Sequence, residues 1–287
     1  MDDISPIFKK FFCAFADSNL RISSERIKKQ AIEMNIYDGI YIIDESKLDS
    51  DFTKKYKDRL VSGSRGYGYW CWKPQVILQA FEFMNEGDVL QYTDVGCHLN
   101  PKGKPRLVDY FNITKCSENG ILAFTNKVES ELLPNETFYD YNDLNYTKMD
   151  LVDYFGLVDK IDILKKSQFG GTVCFFRKDA KTIQFLEDWS KVYATDFSLA
   201  DDTPSKIQNH LDFIEHRHDQ SIFSLLCKTR GVEELFATEF YTQGDWNELS
   251  DFPIWAKRDK KIPWIKKEIL KIRKIKNKII SFVTMTK

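Results

Sequence analysis

The chain lacks the marks of several large protein classes. Its six cysteines, Cys13, Cys71, Cys97, Cys116, Cys174 and Cys227, are scattered, and no two form a C-x-x-C pair. That spacing argues against a disulfide framework or a thiolate zinc site and for reduced thiols in a cytoplasm. No run of about 18 apolar residues occurs, so nothing in the sequence reads as a membrane span. The opening MDDISPIFKK has no apolar signal core. No G-x-G-x-x-G follows the first apolar run, which speaks against a dinucleotide-binding enzyme. No G-x-x-x-x-G-K-[ST] occurs either, which speaks against a P-loop nucleotidase.

What is present is an aromatic-rich globular chain. A hydrophobic fraction of 43% and a charged fraction of 30% are ordinary for a soluble domain, and 287 residues suffice for one large α/β unit or two small ones. With 22 Phe and 13 Tyr, aromatic packing should dominate the core. The net charge of −1 hides an asymmetry: from Lys257 onward twelve Lys/Arg stand against two acids, leaving the body acidic. This divides the chain into a body, 1–255, and a basic tail, 256–287. In the tail Ile265, Ile269, Ile272, Ile275 and Ile279 recur at steps of three and four with Lys and Arg between them. That is a basic amphipathic helix suited to an anionic membrane surface. With the cations confined to one end of an acidic body, nucleic acid is not an expected partner.

Apolar runs and breakers set the order of elements. Lys10 to Ala16 reads as a buried strand ending at Asp17. A helix from about Glu25 to Met34, capped by Ser23 or Ser24, follows, and Tyr37 to Ile43 is a second strand. Strand, helix, strand is the signature of a parallel sheet with right-handed crossovers. The mixed-charge stretch 51–64 suits a solvated helix face. Pro74 opens a helix that Gly87 ends, Val89 to Thr93 is a strand, and Leu107 to Phe111 is helical. Gly120 to Thr125 and Gln168 to Phe176 are further strands. Thr147 to Asp150 reads as a capping box before a helix over 149–155, and Ala180 to Tyr193 and Ile222 to Leu226 are helices. The expected fold class is α/β, a Rossmann-like, mixed and mainly parallel sheet flanked by helices.

Two stretches carry chemistry. The first, Arg65 to Asn100, runs RGYGYWCWKPQVILQAFEFMNEGDVLQYTDVGCHLN. Ligands of open α/β sheets sit beyond the carboxyl ends of the strands, which is where Asp94 falls. A carboxylate there suits a hard divalent cation that grips a diphosphate, and Arg65 and Lys73 supply further positive charge. The plainer account is that Asp94 caps a turn and the two cations are surface charges. The second stretch is His216 to Ser221 before an apolar helix, where free N–H groups favour an anionic or hydroxyl-rich ligand. There the plainer account is that Asp219 caps the helix.

The first stretch resembles a family of bacterial GT-A-type glycosyltransferases of lipopolysaccharide and capsule assembly, whose pattern is roughly R-G-x-G-Y-W-x-W-K-P, a helix, then G-D-x-x-x-Y-x-D-x-G. Arg65, Gly66, Gly68, Tyr69, Trp70, Trp72, Lys73, Pro74, Gly87, Asp88, Tyr92, Asp94 and Gly96 match it. The run at 216–221 resembles that family's H-x-D-Q-S element. The resemblance implies a GT-A-like fold and transfer of a sugar from a nucleotide-sugar donor to a lipid-linked or oligosaccharide acceptor, at the cytoplasmic face of the cell membrane. It implies Phe15, Ala16 and Asp17 at the base, Lys148, Asp150, Gly170 and Gly171 beside the donor sugar, and Asp219 and Gln220 at the reaction centre. It also implies Mn²⁺ or Mg²⁺ held by Asp94 with His218. One departure is plain: where many such enzymes have Asp-x-Asp, this chain has Asp94-Val95-Gly96. A nucleotide-sugar hydrolase on the same scaffold and an inactive sugar-binding protein are the rival expectations.

Overall fold

The structure, a computed structural model, describes residues 8–126 and 141–259. The basic helix expected over 265–279 lies outside them.

β1 (Lys10–Phe15), α1 (Arg21–Met34) and β2 (Gly39–Ile43) form the expected crossover, with β1 parallel to β2. After α2 (Trp72–Phe81) comes β3 (Val89–Thr93), parallel to β1 on its other side. β4 (His98–Leu99) leaves the sheet, and α3 (Lys104–Cys116) leads to β5 (Ile121–Thr125). β6 (Phe169–Arg177) runs antiparallel between β3 and β5. α4 (Ala180–Thr195), α5 (Asp219–Arg230), β7 (Glu233–Phe236) and β8 (Ile254–Trp255) complete the order. The main sheet reads β2-β1-β3-β6-β5-β7, with β7 parallel to β5, while β4 and β8 pair apart. This is the mixed, mainly parallel sheet flanked by helices that the apolar runs imply.

The period-two alternation of a strand divides the core into two layers. Phe11, Cys13, Phe15, Leu90, Tyr92, Cys174 and Phe176 meet α2, α4 and α5 on one face. Phe12, Ala14, Val89, Val173 and Phe175 meet α1 and α3 on the other. Burial of each such Phe contributes about 1.5–3 kcal/mol, so β1 alone, with three, is a strong organiser.

Several boundaries differ from the pattern. α1 starts at Arg21, with Leu20 at its cap, so Ser23 and Ser24 lie inside the helix and cap nothing; Ser23 is buried. β2 begins at Gly39, two residues later than the apolar pattern suggests. The mixed-charge stretch forms only a short helix, Ser50–Lys55. α2 begins before Pro74 and ends at Phe81, well short of Gly87. The Thr147–Asp150 capping box does not form. Thr147 donates to Asp143 instead, Lys148 occupies the cap position, and Asp150 accepts the backbone N–H groups of Lys206 and Ile207 at 2.8 Å each. A reciprocal box does form at α4, between Asp179 and Thr182.

The direction of β6 decides which residues meet at the edge of the sheet. Running opposite to β1, β3 and β5, it brings its first residues to the edge where those strands end. Gly170, Gly171, Asp94 and Asp17 therefore share one rim of the sheet.

Candidate functional site

The rim holds a buried charge cluster made from the two stretches. Lys73, in the first turn of α2, sends its ammonium to the Asp219 carboxylate at 2.6 Å, across 146 positions of sequence. The same nitrogen donates to the Gly171 carbonyl at 2.9 Å and lies 3.5 Å from Asp94 Oδ1. Tyr92, in β3, donates its hydroxyl to that Oδ1 at 2.8 Å. Side-chain exposure falls to 2% for Lys73 and 9% for Asp219 but is 33% for Asp94, so Asp94 is the member open to a ligand. Burial works to lower the Lys73 pKa, but Asp219 and Asp94 overcome it and hold the ammonium well above its ordinary value. Burial raises Asp219, with Lys73 opposing.

Two local features make this meeting possible. β6 is bare at Gly171: a Cβ there would come 3.3 Å from the Asp219 carboxylate and 3.4 Å from the Lys73 nitrogen. Asp219 is the first residue of α5, preceded by His218 at φ +54° and ψ −120°, a conformation sparsely adopted by L-residues. Asp219 thus does not cap α5; it is turned inward to Lys73. Gln220 follows, donating to Gln168 Oε1 at 2.9 Å, and Gln168 is held by Asp143 and Thr147.

Above the cluster stands a strained turn. Gly66, Tyr67, Gly68, Tyr69 and Trp70 all have positive φ, from 50° to 89°. The three non-glycine members cost roughly 1–2 kcal/mol each in this left-handed region. The turn persists because it is fastened from several sides. The Gly66 carbonyl accepts Trp72 Nε1, the Gly68 N–H meets Ser64 Oγ, and the Tyr69 carbonyl accepts the Tyr193 hydroxyl. Strain of this kind gathers at ligand sites. Its outcome is a wall in which Trp70 stacks on His218, Tyr69 packs beside it, and Phe15 lies 4.0 Å from the Trp72 ring. Arg65 pairs with Asp202 at 2.9 Å, and the Tyr69 hydroxyl donates to the same carboxylate. Around the site Lys73, Arg65, Lys148 and Arg59 face Asp94, Asp219, Asp202 and Asp201, a balanced set of charges.

The structure separates the sequence candidates into groups. Asp94, Gly171 and Asp219 all meet the Lys73 ammonium. Phe15, Ala16 and Asp17 lie at the end of β1 on the same rim, with Asp17 2.5 Å from the Asn19 amide. Lys148 and Asp150 instead hold the loop at 198–207: the Lys148 ammonium donates to the carbonyls of Ser198, Asp201 and Thr203. Sequence reasoning missed Asp202, Asp143 and Gln168. Asp202 carried no motif, and the other two gain meaning only once β6 and α5 are packed.

The residues present do not fit a divalent metal. His218 turns its Nδ1 to the Ala200 carbonyl at 2.7 Å and its Nε2 toward Asp202 at 3.6 Å. Gly96 stands where a second carboxylate would be, and its own carbonyl accepts Asp259 N–H. Among the described residues no group of three or more His, Cys, Asp or Glu is gathered for a metal. A separate cleft of about 530 Å³ is lined by Lys102, Arg106, Asp109 and Glu239 among others, and by none of the site candidates. Within it Arg106 pairs with Glu239 and Asp109.

No protein-family model matches the chain. An alignment 116 positions long, covering 34% of this chain and 36% of the relative, is 28% identical to a probable thioesterase, atnL, of Emericella nidulans. Among solved structures, the chain is similar to a glycosyltransferase involved in the glycosylation of the major capsid of PBCV-1, at 10% identity over 86% of this chain and 91% of that one, TM-score 0.47. It is similar to galactosyltransferase LgtC in complex with donor and acceptor sugar analogs, at 11% identity over 88% and 89%, TM-score 0.42. It is also similar to mouse xyloside xylosyltransferase 1, at 8% identity over 88% and 100%, TM-score 0.44.

Proposed function

We propose that the chain is a glycosyltransferase that moves a sugar from a nucleotide-sugar donor to an acceptor hydroxyl. The observation that carries this reading is the meeting of Asp94, Lys73, Gly171 and Asp219 at the rim where β1, β3 and β5 end and β6 begins. Such rims are where α/β sheets take their ligands. The end of β1, at Ala16 and Asp17, receives the base. Arg65 neutralises the diphosphate. Its pair with Asp202 has side chains 49% and 51% exposed, and exposed pairs contribute only about 0–1 kcal/mol, so the guanidinium is released cheaply. Asp94 accepts hydrogen bonds from sugar hydroxyls. Asp219 and Gln220 orient donor and acceptor, and the Trp70–His218 stack gives an aromatic face to a sugar ring.

The likeness to lipopolysaccharide and capsule enzymes in 65–100 and 216–221 directs the acceptor toward a lipid-linked or oligosaccharide surface glycan. The basic tail over 256–287 supports contact with the anionic inner face of the cell membrane. No helix among the described residues is long and apolar enough to cross it. The expectation of Mn²⁺ or Mg²⁺ at Asp94 and His218 is not carried forward, because the donor set does not fit.

The test is a thermal-shift screen of nucleotide sugars, since a ligand of the native state raises the melting temperature, followed by product analysis with oligosaccharide acceptors. Acceptor-dependent loss of donor sugar, abolished in Asp94→Asn, is the expected result. Stabilisation by no nucleotide sugar, or an Asp94→Asn variant with full transfer, overturns the reading.

A further inference from the structure

We infer that Lys73 is the resident cation of this site, filling the position between two carboxylates and a backbone carbonyl that a divalent ion would otherwise take. Ligand binding here is then independent of divalent metal. An ammonium has three protons and no acceptor. Those of Lys73 face three oxygens: Asp219 Oδ2 at 2.6 Å, the Gly171 carbonyl at 2.9 Å and Asp94 Oδ1 at 3.5 Å. Oxygen atoms from three separate chain segments, two of them anionic, converging on one point are the ingredients of a hard-cation site.

The group that occupies the point is buried and fastened there. The Lys73 side chain is 2% exposed and lies in the first turn of α2, with the Tyr92 ring 5.3 Å from its nitrogen. The surroundings are shaped for it as well. Gly171 lacks the Cβ that would press on both Asp219 and the ammonium. The Tyr92 hydroxyl occupies Asp94 Oδ1 from the other side. A divalent ion placed on the same oxygens would sit against a fixed positive charge, and the Asp94-Val95-Gly96 run offers no second carboxylate to draw it elsewhere. Lys73 is therefore a positioning residue. It holds Asp94 and Asp219 close together on one ammonium, the task a metal performs where two carboxylates must share a site. An anionic donor then meets one net negative charge from the three groups rather than two.

The site concerned is the one proposed for a nucleotide sugar, but the role of Lys73 rests on geometry alone, and its main test uses no sugar. Mn²⁺ binding to the full chain is measured by electron paramagnetic resonance, and melting temperature is measured with Mn²⁺ and with a chelator. The wild type should leave the free Mn²⁺ signal undiminished. Lys73→Ala vacates the point and should take up one Mn²⁺ per chain, with matching thermal stabilisation, and adding Asp94→Asn should remove that uptake. A merely structural role for Lys73 would destabilise the fold without creating metal affinity. One Mn²⁺ bound by the wild type and lost in Asp94→Asn overturns the inference, as does a folded Lys73→Ala that binds none. If Lys73→Ala does not fold, the wild type and Asp94→Asn still decide. Where a nucleotide sugar stabilises the wild type, the shift should be equal with Mn²⁺ and chelator; disappearance in chelator refutes the inference and leaves the transferase reading standing. Absence of any sugar-induced shift removes that reading and leaves the Mn²⁺ result intact.

Discussion

Replacing Asp143 with alanine probes the network on which Gln220 rests. Asp143 is wholly buried. Its Oδ1 accepts Thr147 Oγ1 at 2.6 Å and Gln168 Nε2 at 2.8 Å; its Oδ2 accepts Ser224 Oγ at 2.8 Å and the Lys228 ammonium at 2.6 Å. The Lys228 side chain is itself only 4% exposed. Alanine removes the anion and leaves the buried Lys228 ammonium with only the Lys166 carbonyl, while Thr147, Gln168 and Ser224 lose their carboxylate acceptor. Breaking a buried pair from one side costs about 3–5 kcal/mol. At about 2–4 °C per kcal/mol for a large domain, the melting temperature should fall by about 6–20 °C, read by calorimetry. Combining Asp143→Leu with Lys228→Met removes the uncompensated charge and should return part of that loss; the Thr147, Gln168 and Ser224 donors deprived of the carboxylate keep the remainder. Activity should return less than stability, because Gln168 stays without its carboxylate acceptor, keeping only Thr147, Tyr146 and Ser221, and Gln220 hangs on Gln168. A drop of less than about 2 °C in the single variant would refute the reasoning, as would a double variant no more stable than Asp143→Ala.

Asp94→Asn should leave stability within about 1 kcal/mol, because the side chain is one-third exposed and Lys73 keeps Asp219 and Gly171; transfer should drop on the order of 100-fold or more, seen in initial rates. Gly66→Ala places a Cβ 2.3 Å from the Trp70 ring at φ +56°, so urea titration should show a loss of about 1–3 kcal/mol. His216 is held neutral, its pKa well below the ordinary 6.5 because of burial, then Lys148 and His218. A depressed folded-state pKa means the unfolded chain takes the proton first as pH falls. Stability from this group is complete above about pH 6.5 and lost below it, at up to about 1.4 kcal/mol per pH unit. Urea midpoints compared above and below that pH should show the fall, and His216→Gln should flatten it.

The sequence shows the sheet more clearly than the site. Strands buried on both faces are continuous apolar runs, and β1, β3 and β5 stand out for that reason. Helix starts are harder to read, because local capping rules compete with tertiary partners. Ser23 looks like a cap, yet the helix opens two residues earlier and buries it. Thr147 and Asp150 have the spacing of a capping box, yet Asp143 and the 205–207 backbone claim them. Within the site, Lys73, Asp94, Gly171 and Asp219 are each legible as residue types at strand or helix ends. Their convergence on one ammonium is not, since it depends on β6 running antiparallel, which no local pattern encodes. The left-handed turn over 66–70 is hidden too, because Tyr and Trp in that conformation are stabilised only by distant partners such as Tyr193.

The β3–β4 corner beside Asp94 is closed from outside by late residues. Arg26 donates to the carbonyls of Val95 and Cys97 and to Asp259, while Asp259 N–H meets the Gly96 carbonyl and Ala256 N–H meets Phe240. A protein shortened to Trp255 would discard this buckle along with the basic tail. Any truncation meant to remove tail effects alone has to stop after Asp259. A cut four residues earlier would loosen the corner beside Asp94 and be mistaken for a requirement of the tail itself.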